Sequence, residues 1–142
     1  MHYLASIRRQ NLTNMTRALR PLGITPHIWR VLAALADQDG HSVGELADIT
    51  VIERSNLSRI VDDMEQAGLI ERRQRVGDKR LTLVYVTPKG RRVFEQALPI
   101  ALDVYGRALD GFAPDEFRLF MSFLRRMKEN VFRPAYEQEP IS

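Results

Sequence analysis

Apolar residues recur along the chain in two rhythms, and the points where the rhythm changes divide it into elements. Leu4, Ile7, Leu12, Met15 and Leu19 keep helical spacing, so roughly the first 20 residues read as an amphipathic helix that Pro21 and Gly23 end. Thr25-Pro26 follows as an N-cap with proline at the first helical position, where a missing N–H costs nothing. Ile28, Val31, Leu32 and Leu35 make the buried stripe of this second helix, which Asp37-Gln38-Asp39-Gly40 breaks. Ser42-Val43-Gly44-Glu45 is a capping box, in which the serine accepts from a free helix N–H and the glutamate reaches back. It opens a short helix with Leu46 and Ala47 turned inward. Another helix begins near Glu53 or Arg54, buries Leu57, Ile60, Val61 and Met64, and meets Gly68 as a left-handed C-terminal residue. Two short helices this close, the second amphipathic with a polar outer side, describe a helix-turn-helix.

The period then falls to that of a strand. Leu69–Val76 is a strand rich in arginine, Gly77-Asp78 is a turn signal, and Leu81–Thr87 is a second strand with β-branched and aromatic residues. A hairpin placed directly after a helix-turn-helix is a wing. Thr87-Pro88 repeats the cap-plus-proline signature and opens a long helix with the stripe Phe94, Ala97, Leu98, Ala101, Tyr105, Ala108, Leu109 and Phe112. Pro99 inside that stripe is expected to bend the helix or loosen one turn. Ala113-Pro114 starts the last helix, with Phe117, Phe120, Met121, Leu124, Met127 and Val131 expected inward, and with Leu119 and Phe123 apolar outside that stripe. A chain of this size has few places to hide so much apolar surface, so a partner chain is expected to cover it. The predicted fold is mainly α with a small β-wing (α+β). A winged helix-turn-helix lobe spans 25–87, and 1–24 with 88–142 form a helical dimerisation region.

Composition narrows the function classes. The 142 residues fit one domain, or one domain with dimerisation arms, and 44% hydrophobic with 27% charged residues excludes a disordered tail. The chain has no cysteine, which removes disulfides, thiolate metal sites and thiol redox sensing, and suits a reducing cytoplasm. No apolar run approaches the roughly 20 residues of a membrane span and no signal peptide opens the chain, so a cytoplasmic protein without a membrane partner is expected. The net charge is only +3. Its distribution is more telling, because Glu71 to Arg92 carries Arg72, Arg73, Arg75, Lys79, Arg80, Lys89, Arg91 and Arg92 against Glu71 and Asp78. That local net of +6 is twice the charge of the whole chain, and it sits in the strand–turn–strand segment.

On the helix after Glu53, the residues opposite the buried stripe include Ser55, Ser58, Arg59 and Asp62, with Arg54 and Asn56 near its N-terminal end. Serine and asparagine bond base edges or phosphates, and arginine forks onto guanine. Ser55, Asn56 and Arg59 are therefore expected in the major groove, with Ser58 on the same face and Arg54 and Ser42 on phosphates. Double-stranded DNA is the partner this chemistry fits. The alternative is a winged-helix module for protein–protein contact, which would keep the hydrophobic pattern but need no basic wing.

These pieces, in this order and spacing, resemble the MarR family of winged helix-turn-helix regulators. The resemblance runs through Glu45-Leu46-Ala47, Ser55-Asn56-Leu57-Ser58-Arg59-Ile60-Val61-Asp62, Glu65, Gly68-Leu69-Ile70-Glu71-Arg72, Asp78-Lys79-Arg80, Val84, Val86, Thr87 and Gly90. It implies a homodimer with interleaved terminal helices, a palindromic operator, and modulation by a small phenolic or other aromatic ligand. It also implies that Arg80 enters the minor groove while Asp78 holds it in position, with Lys79, Arg73 and Arg75 on the backbone. Two departures stand out. Thr50-Val51 occupy a turn where the family often has Leu-Gly, so an altered turn is expected, and the N-terminal arm is short, which trims the dimer contact there.

Two other patterns fall away. Gly40-His41-Ser42-Val43-Gly44 matches the G-x-S-x-G elbow of hydrolases, but no apolar strand precedes it, and His2, His27 and His41 all come before Ser42. Those three scattered histidines also make no metal cluster. Neither catalysis nor a cofactor is expected. His27 near Trp29 reads either as lining for an effector pocket or as a helix-packing tryptophan beside a partly exposed histidine.

Overall fold

A computed structural model of the chain describes residues 2–133; Met1 and the end of the predicted dimerisation region, residues 134–142, lie outside the described residues. The elements in order are α1 (His2–Leu19), a 3-10 turn (Arg20–Leu22), α2 (Pro26–Asp37), α3 (Val43–Thr50), α4 (Arg54–Gln66), β1 (Ile70–Arg75), β2 (Asp78–Val86), α5 (Pro88–Ala108) and α6 (Pro114–Phe132). Residues up to Gly106 form one compact unit and those from Arg107 onward a second.

Local chemistry sets most of the helix ends in the first unit. Thr25 Oγ1 accepts from the Ile28 amide at 3.2 Å, with Pro26 just inside α2. Ser42 Oγ accepts from the Glu45 amide at 3.1 Å, and Glu45 Oε2 accepts from the Ser42 amide at 2.8 Å, which completes the capping box of α3. That backbone bond from Ser42, chiefly, holds the Glu45 carboxyl below its ordinary pKa. At the far end of α4, Gly68 takes φ +75°. Its amide donates to the Glu65 carbonyl and that of Leu69 to the Met64 carbonyl, each at 2.9 Å. This is the Schellman closure, which a residue without a Cβ makes cheaply.

The α3–α4 turn keeps the left-handed geometry that glycine commonly serves, although Val51 stands there at φ 55°, ψ 41°. A β-branched residue in that region carries about 1–2 kcal/mol of strain. The residue is 74% exposed and so gains little from burial. Val51→Gly is therefore expected to stabilise the protein by about 0.5–1 kcal/mol, after glycine's larger entropy loss on folding is subtracted. A urea midpoint that stays put or falls would show the turn to be unstrained.

Two apolar clusters share α2. Val31, Leu32 and Leu35 pack with Leu46, Ile52, Leu57, Val61, Met64, Leu69, Ile70 and Val84 to close the helix-turn-helix beneath the base of the hairpin. Trp29, one turn earlier, joins Met15, Leu19, Ile24, Ala97 and Ala101, and its ring stacks on Phe94 with centroids 5.4 Å apart. The hairpin is antiparallel, pairing Ile70 with Val86 and Arg72 with Val84, and its register breaks between Gln74 and Arg75. β2 begins at Asp78, so that residue lies in the strand and not in the turn as predicted.

A joint ties α4 to α5. Thr87 Oγ1 donates to the Gly68 carbonyl at 2.6 Å and accepts from the Gly90 amide at 3.1 Å. Lys89 Nζ donates to the Ala67 carbonyl at 2.7 Å. Pro99 sits inside α5 without interrupting it, removing only the bond the Glu95 carbonyl would accept. The helix ends at Ala108, so Leu109 and Phe112 are not part of its stripe, and Leu98 and Tyr105 are exposed.

Within the second unit no residue of α6 is buried, which corrects the inward stripe predicted for Phe117, Phe120, Met121, Leu124, Met127 and Val131. The periodicity shows that the helix has an apolar side; it does not show that this chain supplies the cover. Phe112 and Phe120 touch at 5.7 Å between ring centroids. Leu119 and Phe123 are half exposed.

Candidate nucleic-acid interface

The polar side of α4 forms one part of the interface. Arg54, Ser55, Ser58 and Arg59 are exposed and Asn56 is half-buried. Glu53 caps the helix without a side-chain bond, so the amides of the first turn lack a side-chain partner there. Ser55 Oγ instead donates to Glu53 Oε1 at 2.6 Å, and Ser58 Oγ to the Arg54 carbonyl at 3.0 Å. The Arg54 guanidinium lies over Gly44 of α3, in space a side chain there would fill. Half-buried Ser42 spends its oxygen on the cap, which leaves its hydroxyl proton free to donate.

The wing supplies the other part. Gly77 makes the turn at φ +90°. Asp78 Oδ1 accepts from the Arg80 backbone N–H at 3.0 Å, so Asp78 fixes the main chain at Arg80 and leaves the guanidinium free to reach outward. Among the described residues Arg75, Lys79 and Arg80 pair with no carboxylate, and all three are exposed. Arg73 differs. It pairs with Glu71 and lies 4.9 Å above the Tyr85 ring, so its charge is partly spent within the hairpin.

Arg72 stands in the basic run of the sequence, which assigns it no role of its own. Its guanidinium bonds Asp62 and Glu65 of α4, and these hydrogen bonds, that of Asp62 foremost, raise its pKa further. The signal that finds it is the strand's period of two, because Arg72 lies on the same face as buried Ile70 while Glu71, Arg73 and Arg75 lie on the other.

A separate cleft of about 690 Å³ opens between α1, α2 and the α3–α4 turn, lined by Arg8, Leu12, His27, Trp29, Arg30, Val51 and Tyr105 among others. His27 Nδ1 is buried there without a hydrogen-bond partner among the described residues. Burial, aided by Arg30, lowers the pKa of its imidazole and favours the neutral form. Trp29 both lines the cleft and packs in the core, so the two sequence readings of this residue are compatible.

A cationic ribbon set beside a helix with a polar outer face is a means of holding duplex DNA at two adjacent grooves, and it defines the winged helix-turn-helix class of regulator. The chain belongs to the MarR family of transcriptional regulators: the family's sequence model matches residues 22–81, and a relative is a third identical over the aligned stretch. That relative, the transcriptional activatory protein BadR of Rhodopseudomonas palustris, is 33% identical over 122 residues, covering 83% of this chain and 70% of BadR. A MarR-family regulator from Silicibacter pomeroyi has a similar crystal structure, with a TM-score of 0.81 at 30% identity over 95% of this chain and 90% of that one. BpsR of Bordetella bronchiseptica, whose DNA binding is regulated by 6-hydroxynicotinic acid, has a TM-score of 0.83 at 23% identity over 90% and 91% of the two chains. The chain is thus a regulator of transcription and not an enzyme. No described helix is long and apolar enough to cross a membrane.

Proposed function

We propose that this chain acts as a homodimer on a palindromic operator, each protomer setting α4 in a major groove and the wing tip in the neighbouring minor groove. The observation that carries the reading is the unneutralised wing end, Arg75, Lys79 and Arg80, beside a polar α4 face. A protein–protein module would have no use for that charge. Ser55, Asn56, Ser58 and Arg59 read bases; Ser42, Arg54, Arg73, Arg75 and Lys79 hold phosphates; Arg80, with its main chain fixed by Asp78, enters the minor groove.

Residues 1–24 and 88–142 serve as the dimerisation region. The exposed apolar residues of α6, together with Tyr3, Leu4 and Ile7 of α1, support this. A small aromatic effector fits the cleft at His27 and Trp29, where an unpartnered imidazole nitrogen and an aromatic wall offer one polar and one apolar contact. The regulation of BpsR by an aromatic acid supports that choice.

Selection of duplexes from a random pool tests the reading. The recovered sequences are expected to share an inverted repeat, and the complex to contain two chains by sedimentation. Affinity should fall by about three orders of magnitude between 50 and 200 mM salt, as counterion release at about six phosphates requires. Binding that hardly responds to salt, or that selects no sequence, would remove the DNA assignment.

A further inference from the structure

We infer that Arg72 is a positioning residue, a strut that fixes the wing at a set angle to the reading helix and makes no contact with DNA. A two-stranded ribbon alone is marginal in water, so its direction has to be imposed from outside. On one side, β2 is tied to the α2–α3 loop: the Val84 amide donates to the His41 carbonyl at 2.8 Å, and the Val86 amide to Asp39 Oδ1 at 3.0 Å. On the other side the tie is Arg72. Its Nε donates to Glu65 Oε2 at 2.8 Å and its backbone N–H to Glu65 Oε1 at 3.3 Å, so Glu65 holds both main chain and side chain. The second arm of the guanidinium bonds Asp62, one turn earlier on α4. A planar fork between two carboxylates resists rotation in a way a single contact does not.

The position of Arg72 gives this tie its leverage. From Arg72 outward along β1 every residue is exposed, so it is the last point at which that strand is held before the hairpin leaves the lobe. With two carboxylates against one guanidinium, the cluster has a net negative charge and offers a phosphate nothing. It also explains why a helix facing DNA carries Asp62 and Glu65. They hold the wing so that Arg80 meets its groove when α4 meets its own.

This inference rests on the proposed two-groove grip, and the experiment separates the two. The probe is one duplex recovered from a random pool by the wild-type protein, with affinity measured across a salt series and folding followed by thermal melting. The double variant Asp62→Ala, Glu65→Ala removes the strut's anchors and two negative charges while keeping good helix formers on α4. The strut predicts that binding weakens about tenfold, the scale of one misread base pair, although the protein has become more cationic. Equal or tighter binding, which electrostatics alone would give, overturns it.

Arg72→Met is expected to weaken binding similarly with an unchanged salt slope, whereas loss of a phosphate contact would lower the slope by about one for each copy of the residue. Arg72→Lys keeps the charge but not the fork, and should bind no better than Arg72→Met. Full rescue by lysine would mark Arg72 as a phosphate contact and overturn the inference. A wild-type protein that retains no duplex at all defeats the proposed function itself, and this inference with it.

Discussion

Replacing Arg80 by alanine is expected to weaken operator binding by roughly thirtyfold to several hundredfold while leaving the fold intact. A groove-reading arginine contributes about 1–2 kcal/mol. The proposed dimer presents two, so about 2–4 kcal/mol is lost, which is that range in the binding constant. Arg80 is exposed and its side chain pairs with no carboxylate among the described residues, so truncating it removes nothing the described fold uses. Its stability effect should stay within about 0.5 kcal/mol, as for other surface positions. Fluorescence anisotropy at fixed salt and a thermal melt measure the two quantities. An unchanged dissociation constant would mean that the wing tip does not enter a groove.

Gly90→Ala is expected to do the reverse, damaging the fold at a buried position of α5 away from the wing tip. A Cβ there would lie 2.0 Å from the Leu69 carbonyl oxygen and 2.9 Å from its carbon, with Val86 Cγ2 also at 2.9 Å. The obstacle is backbone, so no rotamer change relieves it. The first turn of α5 would have to retreat, breaking the bond from the Thr87 amide to Leu69 and that from Thr87 Oγ1 to Gly68. About 3 kcal/mol or more is the expected cost, at the severe end of overpacking. For a chain of this size the melting temperature should drop by about 10 °C. Gly106→Ala is the control, since a Cβ at Gly106 in the same helix meets nothing within 4 Å among the described residues. There the same change should be neutral or slightly stabilising. Equal melting temperatures for the two variants would show that the close approach at Gly90 is tolerated.

The features legible in the sequence are those whose causes lie within a few residues of one another. Thr25-Pro26, Ser42 with Glu45, and Gly68 announced their helix ends because each acts on amides or carbonyls three or four positions away. The elements of the lobe followed from them. Arg72 escaped because its partners lie seven and ten residues back, and because its charge merged with a run of like charge. The resemblance implies that Asp78 braces the Arg80 guanidinium, whereas its carboxylate accepts from the Arg80 main chain. At Thr50-Val51 the departure from the family's Leu-Gly marks the turn, but the altered geometry expected from it does not follow, because Val51 takes the left-handed backbone itself. The α6 stripe was visible, but periodicity carries no information on which chain covers it.

The joint between α4 and α5 also decides where this chain can be divided. Thr87 and Lys89 cap the carbonyls of Gly68 and Ala67, and the Gly90 amide returns to Thr87. A DNA-reading head cut just after Thr87 and exchanged between regulators would leave the Ala67 carbonyl of α4 without Lys89 and the Thr87 hydroxyl without the Gly90 amide. A graft carried on through Gly90 takes both halves of the seam. The transplantable cassette therefore ends inside α5, and operator preference travels between scaffolds only when that first turn travels with it.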